Sequence, residues 1–205
     1  MSAPIDGALD AALGQGVELV VDAPDAVSMA LVGEALATVL RAGDTVLLGG
    51  DLGAGKTTLT KGLASALGVA GPVTSPTFVL VHSYRTDRGF DLLHADVWRL
   101  EQLQEAIDLA IPELVEDGAA AVVEWGERAA PALDRECLRV VVDYSPVSPA
   151  PRGEEAGPGA EGPREVYIAP AGQSWAGRIG ALRHALAARG LVMHPVGGGG
   201  EGGAR

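Results

Sequence analysis

Cysteine occurs once in the 205 residues, at Cys137. That excludes an internal disulfide and suits a reducing compartment. The four histidines, His82, His94, His184 and His194, are scattered without the spacing of zinc ligands. Aromatics make up 4% of a chain that is 47% hydrophobic, so the core has to be aliphatic. No apolar run is long enough to span a membrane, and the N-terminus lacks the basic region and apolar stretch of a signal peptide. The expectation is a soluble, cytoplasmic protein. Basic residues are also few: 15 Lys and Arg stand against 27 Asp and Glu, a net charge of −12. Such a field repels nucleic acid and anionic membranes, so any nucleic-acid role must run through a more basic partner.

Only two lysines occur, Lys56 and Lys61, and the first completes a motif. Gly50-Asp51-Leu52-Gly53-Ala54-Gly55-Lys56-Thr57 is an unbroken G-x-x-x-x-G-K-[ST] phosphate loop. Thr45-Val46-Leu47-Leu48 before it reads as a buried strand. Leu59, Leu63 and Leu67 after it recur every four residues, and Gly68 reads as a helix stop. In this strand, loop and helix the glycines let backbone N–H groups converge on phosphate oxygens at the positive end of the helix dipole. Lys56 supplies a mobile charge for the β- and γ-phosphates, and the Thr57 hydroxyl is a ligand for Mg²⁺. The loop therefore predicts a nucleoside triphosphate site.

The pattern predicts one domain over residues 17–190, with an N-terminal tail over 1–16, a disordered loop over 145–163 and a glycine-rich tail over 191–205. Val17–Val21 reads as a strand. Asp25 is a candidate N-cap for a helix carrying Val27, Leu31, Val39 and Leu40. Val79–Tyr84 and Leu92–Asp96 read as strands joined by a turn at Asp87-Arg88-Gly89. A short helix is expected from Glu101, with Leu100, Leu103 and Ile107 as its apolar residues. Ala119–Val123 reads as a buried strand, and Leu138–Val142 and Glu165–Ile168 as antiparallel neighbours. Ser174 is the expected cap of a helix that turns Trp175, Ile179, Leu182 and Leu186 to one face.

A phosphate loop needs a second acidic group near Mg²⁺ and a residue to orient the attacking water or acceptor. Glu124 and Asp96 both end apolar strands, so both fall at the carboxyl edge of a sheet. Read locally, Asp96 could equally be an N-cap or a partner of Arg99. Thr74-Ser75-Pro76-Thr77 lies where a γ-phosphate-sensing loop sits in other phosphate-loop proteins. His94 reads as a core residue rather than a ligand, and Trp125 as core or as an exposed platform.

Taken together, the phosphate loop through Thr58, Ser75-Pro76-Thr77-Phe78-Val79-Leu80, His94-Ala95-Asp96-Val97-Trp98-Arg99-Leu100 and Val123-Glu124-Trp125 resemble the TsaE family in order and spacing. TsaE is the bacterial ATPase of the tRNA threonylcarbamoyladenosine pathway. The likeness covers about residues 17–143 and the strand at 164–168. It implies an α/β fold, a phosphate-loop three-layer sandwich with a mixed, mostly parallel central sheet and flanking helices. It implies that Lys56 and the loop residues Gly53, Ala54, Gly55, Thr57 and Thr58 hold ATP, and that Thr57 and Glu124 hold Mg²⁺. Asp96 and Lys56 would serve hydrolysis, Ser75 and Thr77 the switch. Asp25 and Arg164 fall where the family closes around the nucleotide. The implied partners are TsaB- and TsaD-like proteins, with tRNA reached only through them. Ala95 replaces the usual aromatic of a His-aromatic-Asp motif, and Val97-Trp98 stands where Leu-Tyr is common, so packing there should differ. A small-molecule kinase and a nucleotide-gated assembly module remain as rival readings.

Overall fold

A computed structural model of the chain describes residues 16–76, 80–99, 105, 108–126, 130–133, 136–145 and 162–194. Residues 1–15 of the expected tail over 1–16, residues 195–205 of that over 191–205, the loop interior over 146–161, Thr77 and the helix expected from Glu101 lie outside the described residues, apart from Glu105 in that helix.

Eight strands form one sheet: β1 (Leu19–Ala23), β2 (Thr45–Gly49), β3 (Val81–Arg85), β4 (Asp91–Asp96), β5 (Ala120–Glu124), β6 (Cys137–Tyr144), β7 (Arg164–Ala171) and β8 (Met193–His194). Their order across the sheet is β3-β4-β5-β2-β6-β7-β1-β8. The four central strands, β4-β5-β2-β6, run parallel, and the outer pairings are antiparallel. The central runs Thr-Val-Leu-Leu-Gly and Ala-Ala-Val-Val-Glu are buried at every position, because strands covered on both faces cannot alternate apolar with polar. The expected hairpin of β6 and β7 is present, longer at both ends than the apolar runs alone showed.

Helices cover both faces. On one side lie α1 (Ala26–Ala37), α2 (Lys56–Ala66), α5 (Gln173–Ala176) and α6 (Ile179–Ala188). On the other lie α3 (Ile111–Glu116) and α4 (Ala130–Leu133). The larger core packs Val32, Leu36, Leu59, Leu63 and Leu186 on Val46, Leu48, Val140 and Ile168, all essentially buried. Each such leucine contributes about 2 kcal/mol by leaving water. The α1–α2 contact is close because Gly33 and Gly62 each meet the other helix's backbone. A Cβ at either would collide with the Leu59 or the Ala30 carbonyl. This packing fixes α2, and with it the loop at its N-terminus.

Four expectations differ from the structure. The helix expected to carry Val27, Leu31, Val39 and Leu40 to the core ends at Ala37, so Val39 and Leu40 are buried from the turn beyond it, and Val27, in the first turn, faces solvent. Ser174 does not cap a helix. α5 starts after Gly172 and the chain breaks at Gly177 before α6 begins. The cause is Arg178, which takes both the backbone carbonyl and the hydroxyl of Ser174 as acceptors. The predicted apolar face survives the break, since Trp175, Ile179, Leu182 and Leu186 are all buried. Met193–His194, placed by the sequence in the glycine-rich tail, pairs with Val20 and Val21 as the edge strand β8. The helix α3 lay between two predicted elements and was not anticipated.

Candidate functional site

Parallel register brings the carboxyl ends of three strands to one level. Leu48 of β2 pairs with Glu124 of β5, and Glu124 pairs with Asp96 of β4. The loop after β2 curls through positive φ at Gly50, Gly53 and Gly55 (117°, 79° and 120°) before α2 begins. A cavity of about 330 Å³ opens there, lined by Gly53, Gly55, Lys56, Thr57 and Thr58 from the loop and helix. Ser75, Asp96 and Glu124 also line it, and Leu52, Trp98 and Trp125 complete its wall.

Lys56 is 5% exposed. Its Nζ donates to the carbonyls of Gly50 (2.5 Å) and Asp51 (2.9 Å) and lies 3.6 Å from the centre of the Trp125 ring. Trp125 in turn stacks on Trp98, with ring centres 4.2 Å apart. Trp125 has φ of 61°, a left-handed conformation that costs a bulky residue about 1–3 kcal/mol and persists only where its surroundings impose it. That turn carries the indole from the strand end back over the lysine.

The Thr57 hydroxyl donates to both carboxylate oxygens of Glu124, at 2.9 and 3.0 Å. Glu124 is 3% exposed. It is also hydrogen-bonded from behind by His94, whose Nε2 lies 2.8 Å from Oε1. Asp96 accepts from the Ser75 hydroxyl at 2.8 Å and from the backbone N–H of Trp98 at 3.0 Å. It is thus tied to the loop that precedes β3.

Three predicted residues do not line the cavity. Asp25 caps α1 as expected, accepting from the Ser28 N–H (2.7 Å) and hydroxyl (2.6 Å), but it does not line the cavity. The Ser28 hydroxyl, then its N–H, holds the Asp25 carboxyl below the usual carboxylate range. Arg164 points its guanidinium at the loop's rim, donating to Gly162 O (2.7 Å) with Gly53 O at 3.5 Å. Ala54, within the loop, is buried and does not line the cavity. The sequence did not flag Leu52, or the contacts of Trp98 and Trp125 with each other and with Lys56. It assigned His94 to the core without its bond to Glu124.

The family model described as "Threonylcarbamoyl adenosine biosynthesis protein TsaE" matches residues 23–148. That span contains every residue around the cavity. The chain belongs to the TsaE family. A Streptomyces coelicolor relative, named tRNA threonylcarbamoyladenosine biosynthesis protein TsaE, is 44% identical over 147 residues, covering 70% of this chain and 91% of the relative. The TsaE proteins of Mycobacterium tuberculosis and Bacillus subtilis are 46% identical over 116 residues and 41% over 106. They cover 53% and 52% of this chain, and 68% and 65% of their own lengths. In structure the chain is similar to the crystal structure of Bacillus subtilis YdiB, with a TM-score of 0.61 and 26% identity over 86% of this chain and 98% of that one. The TsaE match ends at residue 148, past the end of β6, so β7, α5, α6 and β8 lie beyond it. Among the described residues no helix is long and apolar enough to cross a membrane.

Proposed function

We propose that this chain binds Mg·ATP at its phosphate loop and hydrolyses it in support of tRNA threonylcarbamoyladenosine biosynthesis, in the cytoplasm, with TsaB- and TsaD-like partners. The observation that carries the reading is the Thr57–Glu124 pair at the foot of the loop. A hydroxyl and a carboxylate oxygen are what a hard octahedral cation takes beside waters and phosphate oxygens. The first turn of α2 has no side-chain cap, which leaves its N–H donors for an anion. A cavity of about 330 Å³ falls within the range of small-ligand sites. The donor set therefore fits both groups.

Each side chain then has a task. Lys56 exchanges the two carbonyls of its own loop for phosphate oxygens, while the Trp125 face keeps its ammonium in the cavity. Thr57 and Glu124 hold Mg²⁺, which supplies charge neutralisation at the β- and γ-phosphates. Asp96 holds the attacking water, and Ser75 couples that carboxylate to the loop before β3. The tRNA is left to the partners, as the net charge of −12 requires.

The test is phosphate release from ATP without any acceptor, with and without the cognate TsaB–TsaD pair, beside calorimetry of ATP binding. Slow release stimulated by the pair is expected. Release that requires a small-molecule acceptor would establish a kinase instead, and salt-sensitive tRNA binding by the chain alone would remove the indirect role.

A further inference from the structure

His94 is wholly buried, yet its Nδ1 has no hydrogen-bond partner among the described residues. A leucine or phenylalanine would fill the same space without burying an unpaired ring nitrogen. Its other nitrogen has a definite task. Nε2 lies 2.8 Å from Glu124 Oε1, and an ionised carboxylate only accepts, so the proton of that bond sits on Nε2. Register explains the reach: His94 pairs with Val122, and Glu124 lies two residues further along β5 on the same face.

Glu124 has three rotatable bonds and sits at the last position of its strand. Among the described residues, the two side chains that hydrogen-bond to it differ in kind. Thr57, at the N-terminus of α2, is itself a candidate metal ligand, so its bond to Glu124 must be remade when an ion binds. His94 stands on the neighbouring strand, away from the cavity wall, and has no such competing duty. Partners of this type fix a ligand's rotamer, and losing one typically lowers metal affinity about 10- to 100-fold.

We propose that His94 is a positioning residue that holds Glu124 in its metal-binding orientation through the Nε2–H···Oε1 bond. The proposal rests on the Mg·ATP reading given above. Two variants of similar polarity separate positioning from packing. His94→Gln places an amide N–H where Nε2 stands, and His94→Asn carries the same amide too short to reach. Calorimetry of ATP binding with Mg²⁺ and with chelator gives the magnesium-dependent gain in affinity for each folded protein, independently of turnover. We expect chelator affinities within about twofold of wild type for both variants. The gain should be kept within about threefold by His94→Gln and reduced about tenfold or more by His94→Asn. An equal gain in wild type, Gln and Asn proteins overturns the positioning role alone. Absence of any gain in wild type overturns the Mg·ATP reading, and the proposal falls with it. Nitrogen-15 NMR of the imidazole in the unaltered protein gives a second measure that needs no variant. A protonated Nε2 is expected, and a bare Nε2 would overturn the proposal.

Discussion

The two ends of β2 both carry a buried cation lying on a tryptophan, and they are built for opposite purposes. Asp44 immediately precedes the strand. Arg178 grips it with two nitrogens, at 2.6 and 2.8 Å, and gives its remaining donors to Val39 O and to the carbonyl and hydroxyl of Ser174. Its guanidinium lies 4.0 Å from the Trp175 ring centre. All five N–H donors of the fork are engaged, and the planar group is locked between α5, α6 and the sheet. At the other end Lys56 lies on Trp125, but the two carbonyls it holds belong to its own loop and a cavity opens beside it. An ammonium on a flexible stem can exchange such acceptors for others. Similar ingredients make a rivet at one end of five residues and a receptor at the other. What separates them is whether partners come from the fold or are left to a ligand.

The comparison breaks most visibly at the rivet. Arg178→Ala leaves Asp44 buried without its counter-charge and should cost about 3–5 kcal/mol, read as a fall of about 10 °C in melting temperature for a chain of this size. ATP affinity of the protein that remains folded should stay within about twofold. Loss of affinity matching the loss of stability would mean that the two ends are not independent.

At the receptor the sign reverses. Asp96→Ala should lower partner-stimulated phosphate release about 100-fold, ~2.7 kcal/mol, the usual scale for losing a general base, with ATP binding and melting temperature nearly unchanged. Stimulation that survives the substitution would remove Asp96 from the chemistry. Glu124→Gln keeps the side chain's shape and weakens its hold on a cation. We expect the magnesium-dependent part of ATP affinity to drop about tenfold, ~1.4 kcal/mol, while chelator affinity holds. Calorimetry at limiting Mg²⁺ decides this, and an unaltered gain would mean that another acid serves.

The smallest effect lies outside both ends. The Asp25 carboxyl is held below its usual range by Ser28, so its cap stabilises α1 above the unfolded-state pKa and is lost as pH falls through the lowered folded value. Melting curves from about pH 5 to about pH 3 should show a slightly smaller acid loss in Asp25→Asn than in wild type. Identical slopes would show that the cap does not titrate with folding.

Much of the receptor was legible in the sequence because its parts are local. The strand, loop and helix from Thr45 to Ala66 are contiguous, and Glu124 and Asp96 announce themselves as acids closing apolar runs. The rivet was not legible, since Arg178 and Asp44 are 134 residues apart and no periodicity links them. The cap assignment failed over a short span, because the oxygen atoms of Ser174 serve Arg178 four residues on, and that bond forms only where Arg178 is turned back towards Asp44. The His94–Glu124 bond depends on how β4 and β5 align in parallel, which neither strand records alone. Some signals were present and short. Pro112 in the first turn and Gly118 just past the end mark α3, but six residues carry too little periodicity to stand out. β8, of two residues, carries none.

The strand order also sets a schedule for biosynthesis. β1 leaves the ribosome first among the strands, yet its two neighbours are β7 and β8, at the far end of the described chain. About 140 residues must follow before the first of them exists, on the order of ten seconds at roughly 5–20 residues per second. Until then Leu-Val-Val-Asp-Ala is an apolar ribbon with both hydrogen-bonding edges open, the kind of segment that recruits chaperones or other nascent chains. The central strands β2, β4 and β5 can pair earlier, so the ligand cavity can take shape while the amino-terminal strand is still waiting for its place.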